Sequence, residues 1–183
     1  MTTVLFLIIM QHAKVPLLGF AAFSGTGKTT LLEQIIPLLK HHGLRIGLIK
    51  HSHHNFQIDQ SGKDSFRLRE AGASPVMLIS SHRRAIITEI SPEREPRLDE
   101  ELQMFDQSEL DLILVEGFKA EAFPKIELHR PSLNKPLLYL NDSSILAIAT
   151  DSIIKTPDMI RQLDLNQPEM ISEFILKQFM ERL

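Results

Sequence analysis

The sequence predicts an α/β protein with a doubly wound, mostly parallel sheet, and two observations support this fold class. Short apolar runs alternate along the chain with segments of helical period, as in proteins whose parallel strands are joined by crossover helices. Residues 16–23 are apolar almost throughout, and residues 110–117 contain an unbroken apolar stretch that predicts the central strand. Continuous apolar runs are typical of strands that are buried on both faces, which is the environment of a parallel sheet.

The other elements are predicted in chain order from the same patterns. A helix over residues 28–42 follows the first strand; Pro37 is expected to kink this helix because proline lacks a backbone N–H, and Gly43 is expected to end it. The remaining predicted elements are strand 44–50, helix 63–71, a hairpin of strands 76–80 and 85–90, helix 98–107, strands 125–130 and 145–150, and helix 169–183.

Length and composition favour one cytoplasmic domain over residues 16–183, preceded by an apolar extension at residues 1–15. The chain has 183 residues, a formal net charge of −3 and no cysteine. Disulfides and thiolate metal sites are therefore excluded, and a nucleic-acid partner is not expected without a basic face. The apolar run at residues 4–10 is too short to span a bilayer, so we expect no membrane association. It is an extra strand, an apolar tail or a segment before an alternative start at Met10.

A glycine-rich turn between the first strand and the first helix predicts a phosphate-binding loop (P-loop). The usual pattern is G-x-x-x-x-G-K-[ST], and here Ala22 stands at the first glycine position. The two glycines let successive backbone N–H groups converge on an anion, and the helix N-terminus adds its positive dipole end. Lysine in this pattern reaches the β- and γ-phosphates, while the next hydroxyl ligates Mg²⁺. The candidate nucleotide-binding residues of this loop are Ser24, Gly25, Thr26, Gly27, Lys28, Thr29 and Thr30.

A carboxylate at the end of the predicted central strand supports the phosphate-loop interpretation. Glu116 fits the Walker-B position, where an acidic residue binds Mg²⁺ directly or through water. Gly117 after it would let the backbone approach the phosphates closely. Glu116 is therefore a candidate magnesium ligand together with Thr29, and it is also a candidate catalytic residue. An ordinary strand-end carboxylate is the alternative.

The segment "KHSHHN" at residues 50–55 admits three interpretations. Its position at the carboxyl end of the second strand favours contact with a nucleotide or a partner. It could equally be a solvated loop, and its imidazoles could also bind a transition metal. Asp59 follows as a candidate second magnesium-side carboxylate or water-orienting catalytic residue, with a turn residue as the alternative.

Taken together, these motifs resemble the molybdopterin-guanine dinucleotide biosynthesis protein B (MobB) family. The resemblance rests on "SGTGKTTLL", "GLIKHSHHNFQIDQSGKDSFRLREAGA" and "LDLILVEGFK", and it covers residues 16–119 most strongly. It implies a P-loop NTPase fold with a β-hairpin insertion, which binds GTP and Mg²⁺ and is commonly a homodimer. The implied partner is the guanylyltransferase that converts molybdopterin to its guanine dinucleotide, and the implied hydrolysis of GTP is weak. By position, the resemblance adds Lys50, His51, His53, His54 and Asp59 to the site.

Base recognition and function class remain open from the sequence. The guanine motif N-K-x-D is absent, since "NKPL" at residues 134–137 lacks the aspartate. Asp151, just after the strand at residues 145–150, could accept hydrogen bonds from the guanine edge or could be a turn residue. The alternative functions are a small-molecule P-loop kinase and a metal-delivery GTPase that uses residues 51–54.

Overall fold

The computed structural model describes residues 10–52 and 56–180, with the side chain of Gln178 excluded. The apolar run predicted from residue 4 therefore lies outside the described residues except for Met10, and so do His53 and His54. The chain forms two compact units. The first contains the chain up to His51 and from Arg97 onward, and the second contains residues 52–96. In the described part of the chain, no helix has the length and apolar character needed to cross a membrane.

The helices and strands follow the predicted order. The first unit begins with β1 (Leu17–Ala21), α1 (Lys28–His41) and β2 (Ile46–Lys50). The second unit contains α2 (Asp64–Glu70), β3 (Val76–Ile79) and β4 (Arg84–Ile87). The first unit then resumes with α3 (Leu98–Met104), β5 (Leu112–Glu116), β6 (Lys125–His129), a 3₁₀ turn (Pro131–Leu133), β7 (Ile145–Thr150), β8 (Arg161–Asp164) and α4 (Pro168–Phe174), which continues as a π-helical segment (Ile175–Phe179).

The sheet of the first unit has the strand order β2-β5-β1-β6-β7-β8, and all its pairs are parallel. Successive side chains of a strand point to opposite faces, and the core is divided accordingly. Leu18 and Leu114 pack with residues of α1 and α4, whereas Leu17 and Ile113 pack with α3. Helices therefore cover both faces of the sheet, which confirms the predicted doubly wound α/β fold. The separate β3–β4 pair confirms the predicted antiparallel hairpin.

The structure differs from the prediction at one strand and at one helix end. β8 was not predicted because it is an edge strand whose only buried side chain is that of Leu163. α3 ends at Met104 instead of continuing to residue 107, since the side-chain amide of Gln107 donates to the carbonyl of Leu102. The predicted end of α1 is confirmed: Gly43 adopts φ 85° and Leu44 N–H bonds back to the carbonyl of Leu39.

A buried lysine ties β6 to the turn before β7. Lys125 is 1% exposed, and its ammonium group donates to the Asp142 carboxylate at 2.7 Å and to the Ser144 hydroxyl at 2.8 Å. It also donates to the carbonyl of Glu121 at 2.6 Å. Burial alone would raise the pKa of Asp142, but the hydrogen bonds from Lys125 and Ser144 outweigh burial and leave this pKa below its usual value.

Asp142→Asn is expected to lower the free energy of unfolding at neutral pH by about 3 kcal/mol, because it leaves the buried Lys125 ammonium group without its counter-charge. A lowered pKa in the folded state means that the stabilisation is present above the unfolded-state pKa and is lost as the pH falls through the folded-state value. The difference between wild type and variant should therefore shrink below about pH 4. Urea unfolding of both proteins from pH 7 to pH 3 measures it. A pH-independent difference would contradict the charge-based account.

Candidate functional site

The loop between β1 and α1 has the backbone geometry of an anion site. Gly25 and Gly27 have φ values of 80° and 99°, a region that favours glycine. The Thr26 hydroxyl donates to the carbonyl of Phe23 at 2.8 Å and holds the turn closed. Gly27 is the first residue before α1, and in the described part of the chain no side chain caps this helix. The N-terminal N–H groups and the positive dipole end of a 14-residue helix are thus available to phosphate.

Glu116 lies between two lysines at the edge of the sheet beside this loop. β5 pairs with both β1 and β2, so Glu116 is in register with Phe20 on one side and Lys50 on the other. Its carboxylate lies 3.5 Å from the Lys28 ammonium group and 3.2 Å from the Lys50 ammonium group. A triphosphate could take both lysines as counter-ions, which would leave the carboxylate available to a divalent cation. The structure therefore brings together Lys28, Lys50 and Glu116, three of the predicted site residues.

A tight elbow follows Glu116 and brings His51 against it. Gly117 has φ 104°, and a Cβ on it would lie 2.7 Å from the Cβ of His51. The His51 N–H donates to the carbonyl of Glu116 at 2.8 Å, and the imidazole ring lies 4.8 Å from the Phe118 ring. Phe118 is itself held at φ 49°, which is uncommon for a residue with a side chain and is typical of functional sites. Gly117 thus accommodates the close approach of His51, and its predicted approach to the phosphates stays a prediction.

Arg130 reaches the phosphate loop, and the sequence analysis missed it. It follows β6, which pairs with β1 on the side opposite to β5. Its Nε donates to the carbonyl of Thr26 at 3.0 Å, and its Nη1 donates to the Asp151 carboxylate at 2.6 Å. A signal was available, since a charged residue just past the carboxyl end of a buried parallel strand lies on the ligand-binding edge of such a sheet. Asp151, for which the sequence allows either a guanine contact or a turn role, thus has an arginine partner within the chain.

Two further basic residues flank the aromatic residue of the loop. The ammonium groups of Lys119 and Lys135 lie 5.4 Å and 5.9 Å from the centre of the Phe23 ring. Both distances fall within the range of cation–π contacts. With Lys28, Lys50 and Arg130, they make the surroundings of the loop electropositive, which suits a polyanionic ligand.

Asp59 belongs to the second unit and is paired there. Its carboxylate accepts a hydrogen bond from Arg69 at 3.4 Å, and Arg69 also bonds Glu89 at 2.7 Å. The second Asp59 oxygen, Oδ2, is buried and has no hydrogen-bond partner within the described part of the chain. Burial and pairing distinguish Asp59 from a solvated turn residue.

The metal site considered for the histidine loop includes the imidazoles of His53 and His54, which lie outside the described residues. Within residues 10–52 and 56–180, no cluster of three or more histidine or carboxylate side chains could hold a metal ion. The side chain of His51, which is described, packs against Phe118.

Known proteins of one family match the chain. The family model MobB, molybdopterin guanine dinucleotide synthesis protein B, matches residues 17–151. The chain is 46% identical over 171 residues to the molybdopterin-guanine dinucleotide biosynthesis adapter protein of Haemophilus influenzae, with 93% of each chain covered. It is 44% identical over 164 residues to the protein of the same name from Escherichia coli, with 89% of this chain and 93% of the relative covered.

The fold agrees with the sequence relatives. A crystal structure of molybdopterin-guanine biosynthesis protein B matches with a TM-score of 0.69 and 27% identity, covering 89% of this chain and 99% of the solved one. The motifs at the phosphate loop, the histidine loop and Glu116 all lie within the residues that the family model matches. These findings confirm the resemblance inferred from those motifs: the chain belongs to the MobB family.

Proposed function

We propose that this protein is a GTP-binding adapter in the biosynthesis of molybdopterin guanine dinucleotide. The observation that carries the proposal is the contact of Glu116 with both Lys28 and Lys50 beside an uncapped helix N-terminus. This arrangement suits a nucleoside triphosphate with its cation. The names of the relatives from Haemophilus influenzae and Escherichia coli supply the pathway and the adapter role. The partner is the guanylyltransferase that attaches GMP to molybdopterin, and both proteins act in the cytoplasm.

Mg²⁺ is part of the proposal because the oxygen donors near the loop suit it. Hydroxyl and carboxylate oxygens, with the phosphates themselves, are its usual ligands in nucleotide sites. Thr29 at the start of α1 and Glu116 would hold it, and Asp59 stays a candidate from its sequence position alone. When bound, the ion neutralises phosphate charge. The chain is at most a weak GTPase, since Glu116 would be engaged by the cation once GTP is bound and is then poorly suited to act as a base.

Paired measurements test the nucleotide part of the proposal. GTP and ATP affinities with Mg²⁺ are measured by calorimetry on one sample, and product release is followed over hours. We expect selective GTP binding with barely detectable turnover, and capture of the purified guanylyltransferase by the immobilised chain. Preference for ATP, or turnover that rises sharply with a small-molecule acceptor, would instead support a P-loop kinase. Metal-dependent GTP turnover with a transition metal would support the metal-delivery alternative.

A homodimer is also proposed, and the β3–β4 hairpin of the second unit is its contact surface. Met77 pairs with Ile86 and Ile79 with Arg84, so Met77, Ile79 and Ile86 share one hairpin face. These three side chains are 55%, 69% and 55% exposed. An isolated two-stranded hairpin is only marginally stable in water. A second copy offers the same apolar face, which suits the self-complementary contact of a two-fold dimer.

Ile86→Lys is expected to weaken the dimer at least about tenfold, because a charge replaces apolar area that the partner would bury. Sedimentation equilibrium measures the dissociation constant. The matched control is Ile153→Lys, since Ile153 is 96% exposed in the first unit. Equal behaviour of the two variants would remove the hairpin face from the interface.

A further inference from the structure

The guanidinium group of Arg130 is fixed at two of its three nitrogens. Nε is bound to the carbonyl of Thr26 in the phosphate loop, and Nη1 is bound to Asp151 after β7. A guanidinium group is planar, so two fixed nitrogens also fix the direction of the third. The side chains of Arg130 and Asp151 are 31% and 22% exposed, so both remain within reach of a ligand.

The third nitrogen, Nη2, lies directly beside the loop. It is 3.7 Å from the position that a Cβ on Gly27 would occupy. Gly27 immediately precedes Lys28 and the first turn of α1, whose N–H groups are the anion-binding groups of this loop. Within the described part of the chain, the hydrogen bonds of Arg130 use only Nε and Nη1. Its Nη2 donors are therefore available to a ligand of the loop.

We propose that Arg130 is a nucleotide-binding residue that donates from Nη2 to a phosphate oxygen, and that Asp151 positions Arg130 instead of reading the guanine base. This inference rests on the proposed nucleotide-binding function. Arginine suits the role because it is always charged and its donors match the geometry of phosphate oxygens. The tether to Thr26 places the charge at the loop before the ligand arrives, so little side-chain freedom is lost on binding.

The contacts of Asp151 indicate that it positions Arg130. A carboxylate that reads guanine needs both oxygens, one for N1–H and one for the exocyclic amino group. In Asp151, Oδ2 already accepts from Arg130 at 2.6 Å, and this is the shorter of the two hydrogen bonds that the arginine makes. Turning the carboxylate to a base would release Arg130 from one of its two anchors.

A double-mutant cycle tests the inference on the intact chain. The affinities of GTP, GDP, GMP and ATP are measured for wild type, Arg130→Gln, Asp151→Asn and the double variant. Arg130→Gln should lower the affinities for GTP and ATP by the same factor, roughly 10- to 100-fold, because it removes a charged hydrogen bond common to both nucleotides. Asp151→Asn should lower both affinities by a smaller factor that is again the same for GTP and ATP. It should add no further loss in the Arg130→Gln background, since its effect passes through the arginine.

Two controls separate a phosphate contact from a purely structural brace. Arg130→Lys keeps the charge and should recover part of the lost affinity, even if Arg130→Gln folds poorly. Arg161→Gln removes an exposed arginine on β8 and should leave every affinity unchanged. Unchanged affinities in both Arg130 variants, with only a lowered melting temperature, would overturn the inference.

The comparison of GTP with ATP also tests the competing explanation, in which Asp151 reads the base. A changed ratio of GTP to ATP affinity in Asp151→Asn, persisting in the double variant, would mean that Asp151 reads the base and would overturn the inference. Wild type that binds no nucleotide would overturn the proposed function together with this inference. Wild type that binds while the Arg130 variants keep its affinities would overturn this inference alone.

Discussion

Lys28→Ala is expected to weaken GTP binding at least about 100-fold, since under the proposed function it removes a charged phosphate donor from a partly desolvated site. The Lys28 side chain is only 19% exposed and lies at the first position of α1, so water cannot easily replace its contact. The fold should survive the change. Glu116 keeps its contact with Lys50 at 3.2 Å, so no carboxylate is left without a counter-ion. Calorimetric titration with GTP and Mg²⁺ gives the affinity, and a thermal melt reports the stability.

Lys40→Ala is the matched control, because Lys40 is an exposed residue in the last turn of the same helix. It should leave the affinity within about a factor of two, as expected for a surface charge far from the ligand. A Lys28→Ala protein that binds GTP as tightly as the Lys40→Ala protein would contradict the assignment of the loop. It would also remove the main support for the proposed function.

Gly117→Ala is expected to lower the free energy of unfolding by about 2–5 kcal/mol, the sum of a backbone cost and a steric cost. The backbone has φ 104°, which residues with a side chain rarely adopt. The added Cβ would lie 2.7 Å from the Cβ and 3.3 Å from the backbone oxygen of His51, and neither atom can swing away as a long side chain could. Urea unfolding at neutral pH measures the loss.

Comparison with Gly43→Ala isolates the steric part of the stability loss in Gly117→Ala. Gly43 belongs to the same unit and has φ 85°, but a Cβ there would meet nothing within 4 Å. Its cost should be limited to about 1–2 kcal/mol for the left-handed backbone. If the two variants are equally destabilised, the His51 contact does not constrain the elbow after Glu116.

The fold class was predictable because its strongest signals are local. The apolar runs that became β1 and β5 are buried throughout, and the glycines that shape the phosphate loop precede a long helix. The approach of Lys28 to Glu116 was likewise implied, since parallel strands bring their carboxyl ends to one edge of the sheet. In each case the residue type, its neighbours in the chain and the expected topology all pointed to the same structure.

The parts that were missed depend on partners distant in sequence. The sequence of the edge strand β8 is mostly polar, since the strand buries little of its own surface, and it therefore lacks the apolar pattern of a strand. Arg130 is joined to Thr26 across 104 positions of the chain; its place after a buried strand indicates the ligand-binding edge, but not this bond. Asp59 pairs with Arg69 only ten positions away, but neither residue lies in a motif that predicts the pair. These contacts arise from three-dimensional proximity, which composition and periodicity do not encode.

The place of the second unit in the chain has an evolutionary consequence. Residues 52–96 leave the first unit after β2 and return to it before α3, and β2 pairs with β5, the next strand of the sheet along the chain. The insertion therefore sits within one crossover connection, so lengthening or shortening it adds nothing to, and takes nothing from, the strands β2 and β5. The two parts of the gene are then free to diverge at different rates. Lys50 and Glu116 at the sheet edge lie outside that insertion, so mutations in residues 52–96 leave both of them unchanged.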